Sequence, residues 1–533
     1  MLKGSRKSVH LTMYRNDPKQ TEFIDFYMPF SGKLSPQNRW VKLAGMIPWG
    51  VVEECYKKSL DGTQMGAPAK SARIAFGALI IKERLGCSDE EVVEAILENP
   101  YLQHFLGLQE FRDTPLFDPS MMVHFRARFK QSDHEIINAK IIALATAVGA
   151  QDVESNPTKP GSEDDEEPPS PPPNSGKLLM DATCTPADIT YPTDLKLLGE
   201  AREKTEAYLD KLHAPFVGEA KKPRTYRQKA RRQFLAIVKK KKPGMKKIRK
   251  AIGQQLRYIK RNLSHIDRYL EEDREALARL TSYERKCLQV IHTLYEQELL
   301  MYETYSRIVA DRIVSISQPH VRPIVRGKAG KKVEFGAKIS ISHVLGKYVS
   351  LHRLSWDAYN ESGDLISQIE TYREQFGCDP ESVHADAIYR TRANRGYCKE
   401  RGIRLSGPPL GRPPKATEDN AAALKAQKKL HRQDEIDRIP VEGKFGNAKR
   451  KGTLNRIMAK LAHTSVSVIN IGLIVLNLDT WLREVFLGLR TKLTIWVERV
   501  LEALLGPWIA KLLIPESNHW AGISNPSRDP HFH

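Results

Sequence analysis

KLLMDATCTPADITYPTD, Lys177 to Asp194, is the stretch on which the fold turns. An apolar run, Leu178-Leu179-Met180, stops at the carboxylate of Asp181. Polar–apolar alternation follows, then the turn-like Tyr191-Pro192-Thr193-Asp194. Short apolar runs bounded by turn signals read as buried strands. Asp181 is therefore expected at a strand end, where an acid is either a cap or one member of a site.

Downstream, residues 194 to about 315 read as helical and largely polar, with Asp194 as an N-cap. Within them, 221–261 holds 18 Lys and Arg and no Asp or Glu. The 533-residue chain has 84 basic and 64 acidic residues, a net +20, so this block carries nearly all of the excess. Concentrated positive charge without acids points to a polyanionic partner, because its self-repulsion is otherwise uncompensated. Pro243-Gly244 divides the block into two arms. An amphipathic helix is expected from Ser264 to about Ile313, with Leu270, Leu277, Leu280, Leu288, Ile291 and Tyr295 on one face. Residues 332–356 alternate about Gly346 as a hairpin. Next come the helix DLISQIETYREQFG, the strand-like SVHADAIYRT ending at Asp386, a helix, the strand IRLSG, the connecting loop GPPLGRPPK and more helix. This order gives an α/β layer with a mixed sheet, interrupted by a long helical insertion.

Upstream, residues 45–130 read as helices. Gly86 is a C′ residue, Ser88 and Glu91 have capping-box spacing, and Asp118-Pro119 opens a helix whose far end carries Arg126, Arg128 and Lys130. Short helices followed by a basic one fit a helix-turn-helix-like DNA-binding module; a plain helical packing domain is the alternative. Residues 151–176, with SEDDEEPPSPPPNSG, form an extended acidic, Pro-rich linker. At 41% hydrophobic and 28% charged, the chain is globular. Its six cysteines are scattered without a CxxC pair, as in a reducing compartment. No signal peptide is evident. The most apolar window, 465–482, is interrupted by Asn470, Asn477 and Asp479, too polar and short to span a bilayer. A soluble, cytoplasmic chain is expected.

Asp181 and Asp386 both close strands of one sheet, and sites in α/β folds collect outside strand ends. Neighbouring carboxylates repel unless cations sit between them, as in two-metal phosphoryl transfer. RIPVEGKFGNAKRKGTLNRI offers Glu442 as a third acid. Arg438 four residues earlier and Lys449 seven later share roughly one helical face, suited to phosphate oxygens. His384 reads as a packed or supporting histidine rather than a ligand, and Asp188, Asp194, Asp357 and Glu361 are set aside. No Walker loop or dinucleotide fingerprint occurs.

LLMDATCTPADITYPTDLKLL, RPIVRGKAGKKVEFGAKISIS, HADAIYRTRANRGYCKERGIRLSGPPLGRP and RIPVEGKFGNAKRKGTLNRI resemble blocks of bacterial insertion-sequence DDE transposases. The helical head, with LGCSDEEVVEAILENPYLQHFLGL and SMMVHFRARF, is similar to the amino-terminal domain of the same group. The resemblance implies an RNase H-like catalytic core in 177–193 and 316–480. Around it would lie an all-α DNA-binding domain (1–150), the linker (151–176), the basic helical insertion (194–315) and a helical tail (481–533). It places the three metal-ligating acids on Asp181, Asp386 and Glu442, holding two Mg2+ or Mn2+ ions. The family signature Tyr-x2-Arg-x3-Glu-x6-Lys is matched by Arg438, Glu442 and Lys449, with Glu435 at the tyrosine position. Tyr389 ends the Asp-x-x-Tyr of the second acid.

The implied activity is metal-dependent cleavage at the ends of a mobile element, followed by attack of the freed 3′-hydroxyl on target DNA. Partners would be terminal inverted repeats, target DNA and further copies of the chain in a synaptic complex, near the nucleoid and away from membranes. DNA contacts are expected from Arg438, Lys449 and Tyr389; from Arg126, Arg128 and Lys130 of the head; and from Arg231, Arg232, Lys239, Lys240, Lys246 and Lys247 of the basic block. Two other readings are an inactive or domesticated DNA-binding derivative, and a structural or RNA-binding helical protein built around the basic arm.

Overall fold

A computed structural model describes residues 32–60, 68–151, 174–325, 333–344, 347–408, 411, 417, 420–450 and 452–505. Most of the 151–176 linker, Gly346 and most of GRPPK lie outside the described residues. The chain divides into two units, Met1–Asn477 and Leu478–His533, and the sheet with all the packing around it belongs to the first.

The sheet is built around β1 (Lys177–Pro186) and β3 (Val333–Val344), antiparallel from Leu179 opposite His343 to Pro186 opposite Gly336. Two strands, β2 (Arg322–Val325) and β4 (Tyr348–Ser355), pair antiparallel with β3. On the other side of β1, β5 (Ser382–His384) and then β6 (Arg404–Leu405) run parallel to it. The order is β2-β3-β1-β5-β6, with β4 also on β3.

Both faces of β1 are covered, which is why its apolar run does not alternate. Leu178 and Met180 pack with Leu365 and Ile369 of α12 (Asp364–Phe376), with Val383, and with Cys398 of α13 (Arg392–Glu400). Leu179 packs the opposite way, with Ile339, Ile341, Val441 and Phe445 of α14 (Ala421–Arg450) and Leu473 of α15 (Ala462–Leu505). Asp181 does not end the strand, as its sequence suggested. β3 satisfies the backbone as far as Pro186, so the buried Thr183 and Thr185 continue the ladder despite their polarity. The chains cross closely there: a Cβ on Gly336 would lie 2.1 Å from the Thr185 carbonyl oxygen.

The insertion leaves β1 and returns to β2 as α8 (Asp194–His213), α9 (Arg227–Val238), α10 (Met245–Glu272) and α11 (Ser282–Thr304). Leu256, Ile259, Leu263 and Ile266 recur at helical spacing along α10 and bury against α8 and α11. Two local expectations are corrected. Thr193, not Asp194, caps α8 through a bond from the Lys196 N–H, while Asp194 pairs with Arg312 at 2.5 Å. The helix expected from Ser264 to Ile313 is broken, because Thr281 and Glu284 form a capping box that starts α11 afresh. The break at Pro243-Gly244 is present.

The amino-terminal segment forms α1 (Arg39–Met46), α2 (Trp49–Lys58), α3 (Ala72–Leu85), α4 (Asp89–Glu98), α5 (Pro100–Phe105), α6 (Met121–Arg128) and α7 (Gln131–Gln151). Gly86 is left-handed (φ 68°) after α3, and Ser88 and Glu91 cap α4 reciprocally. Asp118 accepts from the Ser120 N–H, but α6 begins only at Met121. This segment docks on the sheet. Buried Glu83 accepts from the backbone and hydroxyl of Thr453, His134 meets Ser467 at 3.0 Å, and Asn138 donates to the Val349 carbonyl at 3.0 Å. In α15, residues 462–488 are long and apolar enough to cross a bilayer, contrary to the sequence estimate, but 78% of the most apolar window is buried in the structure. Burial, not length, marks it as a core helix.

Burial pushes the Glu83 carboxyl up against the lowering effect of its Thr453 bonds. Removing it strands two donors, so Glu83→Ala should cost about 1–3 kcal/mol. Urea denaturation should show a lower midpoint at unchanged slope, with Glu83→Gln, which keeps an acceptor, in between.

Candidate active site

β5 lies beside β1 for only three residues, with Leu179 opposite His384 as the last pair. Two residues beyond this pair stand Asp181, still on β1, and Asp386, just past the end of β5. Because both leave the parallel ladder at one level, their carboxylates come within electrostatic reach. Asp181 remains on the β3 ladder opposite Ile341, while Asp386 leads into a 3-10 turn, Ala387–Tyr389.

The Asp181 carboxyl is pushed up to about 6, first by burial and then by the charges of Asp386 and Glu361; a bond from the Ala182 N–H (2.8 Å) and the charge of Arg438 oppose the rise. A buried acid beside two others has too little positive charge around it. The neighbouring carboxylates are oxygen donors of the kind a hard divalent cation takes.

Strand alternation puts Leu179, Asp181 and Thr183 on the face covered by α14. Two α14 cations reach this edge: Arg438 donates to Asp386, and Lys449 Nζ donates to Thr183 Oγ1 at 2.9 Å. Glu442 stands between them in sequence on the same helix, with an exposed side chain. Asp386 is half exposed, so the edge opens to solvent where a phosphate could approach.

Glu361 was set aside in the sequence, yet it acts on Asp181. It sits in the turn before α12, pairs with Lys338 of β3 at 2.7 Å, and is held near the Asp386 turn by Asn394, which donates to the Ser362 and Tyr389 carbonyls at 2.8 Å each. No local sequence signal distinguishes it, since the proximity is made by the sheet and one side-chain bridge.

Other expected DNA contacts fall elsewhere. Tyr389 is fully buried, packed with Leu365, Ile369 and Val383, and cannot meet a phosphate there. Arg126 is 6% exposed and held bidentately by Asp89 at 2.9 and 2.6 Å. Arg128 donates to the Tyr56 hydroxyl and lies over its ring. These arginines bind the helices of the head together, and only Lys130 of the three is exposed. Glu435, at the family's tyrosine position, is exposed and lies 3.8 Å from His431. Arg231, Arg232, Lys239, Lys240, Lys246 and Lys247 are all exposed. Two other cations of the block, Lys222 and Arg227, pair with Asp210. His384, Asp434 and Asp437 form a second group, with candidate ligand atoms within 4.8 Å of one another.

The raised carboxyl fixes a sign. A group whose folded value lies above its ordinary 3.8 favours the folded state at low pH, and this contribution is lost as pH rises through about 6. Asp181→Asn should therefore match the wild type near pH 4 and exceed it above pH 6 by on the order of 2 kcal/mol without divalent cations. Thermal melts across this range, repeated with Mg2+, check it; Mg2+ should narrow the gap.

Residues 383–479 match the family description "Transposase DDE domain", and residues 29–128 match "Transposase domain (DUF772)". The chain is 30% identical over 165 residues to "Uncharacterized protein ORF8 in nfe locus" of Rhizobium meliloti, covering 31% of this chain and 69% of that protein. No solved structure matches. The second acid, its register with β1 and the α14 cations thus lie in or against a segment with its own transposase match, and the chain belongs to the insertion-sequence DDE transposases.

Proposed function

We propose that this transposase binds the ends of its element as double-stranded DNA, cleaves them by metal-dependent phosphodiester hydrolysis and joins the 3′-hydroxyl ends to target DNA. The observation that carries the reading is the common level at which Asp181 and Asp386 leave the β1–β5 ladder, with Arg438 and Lys449 reaching the same edge. The mixed sheet with helices on both faces supports an RNase H-like core. Membership of the family implies divalent metal use. Asp181, Asp386 and Glu442 would hold Mg2+ or Mn2+, two ions on our reading, which when bound supply charge stabilisation to phosphoryl transfer. Arg438 and Lys449 would hold phosphate oxygens, Arg438 giving up its Asp386 contact for the DNA backbone.

The basic arms supply affinity. Sixteen of the 18 cations in 221–261 are exposed, the exceptions being Arg249 and Arg261, which lie over Tyr302, Tyr305, Tyr226 and Tyr258. Lys246 and Lys247 occupy the first turn of α10, which has no acid. Cations at a helix N-terminus oppose its dipole, and a phosphate there relieves both. With Arg126 and Arg128 engaged inside the head, base reading falls to exposed residues such as Lys130. The working form is a homodimer or larger synaptic complex in the bacterial cytoplasm.

Asp181→Asn, Asp386→Asn and Glu442→Gln should each abolish cleavage in Mg2+ while terminal-repeat binding persists. Near-normal nicking by any of them would remove that residue from the site. Arg438→Ala and Lys449→Ala should lower the rate, and Arg438→Lys should not restore it if the phosphate contact is bidentate. Replacing the exposed lysines and arginines of 221–261 with Gln should flatten the slope of log affinity against log salt by roughly five units or more. An unchanged slope in filter-binding titrations would exclude these arms from the DNA.

A further inference from the structure

Three adjacent strands each send a side chain to one turn of α14. Lys177 of β1, Ser382 of β5 and Arg404 of β6 stand opposite one another in the parallel ladder. Lys177 Nζ reaches Asp437 Oδ2 at 2.6 Å, and Arg404 holds both oxygens of Asp434 at 2.8 Å. His384, two residues along β5, meets Ser382 Oγ through Nε2 at 3.0 Å and brings Nδ1 to 3.6 Å from Asp434 Oδ1. Gln433 donates to the other oxygen of Asp437 at 2.9 Å. His384 is fully buried and Asp434 is 5% exposed, whereas Lys177 and Arg404 reach in from the solvent side.

The spacing of His384, Asp434 and Asp437 would admit a metal ion, but the charges favour a clamp. Each carboxylate already has its own cation, Arg404 with one nitrogen, Nη1, shared between both Asp434 oxygens and Lys177 at contact distance. A divalent ion would have to displace both.

We infer that Lys177 and Arg404 are positioning residues that fasten the Asp434–Asp437 turn of α14 across β1 and β6, with His384 of β5 packed beneath it. They thereby set where Arg438, Glu442 and Lys449 stand over the acids. The strands that lead to Asp181 and Asp386 also meet this turn. Lys177 is four residues before Asp181, His384 two before Asp386, and Arg438 directly follows Asp437. Helix and acids are thus held in one frame. An external hold is needed because Pro440, inside α14 just past the clamp, lacks the N–H that would bond back to Ile436. The catalytic consequence rests on the function proposed above; the clamp itself does not.

The Lys177–Asp437 pair is the one to test, because Lys177 is half exposed and can change without opening the Arg404–Asp434 pair. Asp437→Lys should speed amide hydrogen exchange over residues 434–445. It should also lower cleavage of terminal DNA about tenfold or more at unchanged end affinity, and raise the Mg2+ needed for half-maximal cleavage. The exchanged pair, Lys177→Asp with Asp437→Lys, should restore protection and most activity. The clamp is overturned if exchange stays fast in the exchanged pair, or if Asp437→Lys keeps wild-type protection. It is also overturned if Asp437→Lys melts earlier with unchanged Mg2+ dependence, or if one zinc per chain copurifies and is lost in His384→Ala. A wild type that cuts no terminal DNA would count against the function instead, and amide exchange would still decide the clamp.

Discussion

The pairing of β1 with β5 is three residues long, and the site depends on where it stops. A longer parallel ladder would bury Asp386 between strands, and a shifted register would put the acids on different levels or faces. Ending at Leu179 and His384, it delivers two carboxylates side by side at an edge that β3 supports from behind. The cost appears in the acids themselves. Burial and the neighbouring acids push the Asp181 carboxyl up, so its surroundings disfavour the ionised form.

The positive charge works at two ranges. Close to the acids, Arg438 and Lys449 come from α14, which also packs Val441 and Phe445 onto the sheet, so their reach is set by a rigid core contact. Further out, the α9 and α10 arms present exposed lysines and arginines on a helical body with its own apolar centre. Long-range attraction from such a surface falls with salt, while the near cations act at contact distance and are screened less. On the proposed function, steering and chemistry would fall to different elements of one chain.

Much of this was legible in the residues. The run Leu178-Leu179-Met180, the hairpin, the break at Pro243-Gly244 and the reciprocal Ser88–Glu91 cap rest on local rules that tertiary context did not override. The errors have physical causes. Asp181 looked like a strand end because β3, more than 150 residues away in sequence, supplies the partners that extend β1. Arg126 and Arg128 looked like DNA contacts because a basic helix end does not reveal that Asp89 and Tyr56 await them. Tyr389 followed a family pattern, whereas Leu365 and Ile369 of α12 bury it.

By itself the sequence determined most element types and the acid-free basic block, because periodicity, capping and charge density are local quantities; the three acids and two cations it nominated rest on the resemblance. Only the tertiary structure decided which carboxylates share a charge environment. Glu361 joins Asp181 through a turn and the Asn394 bridge, and the Asp434–Asp437 turn meets three strands at once. Proximity between residues tens to hundreds of positions apart is created by strand register and helix packing, and no window of sequence contains it.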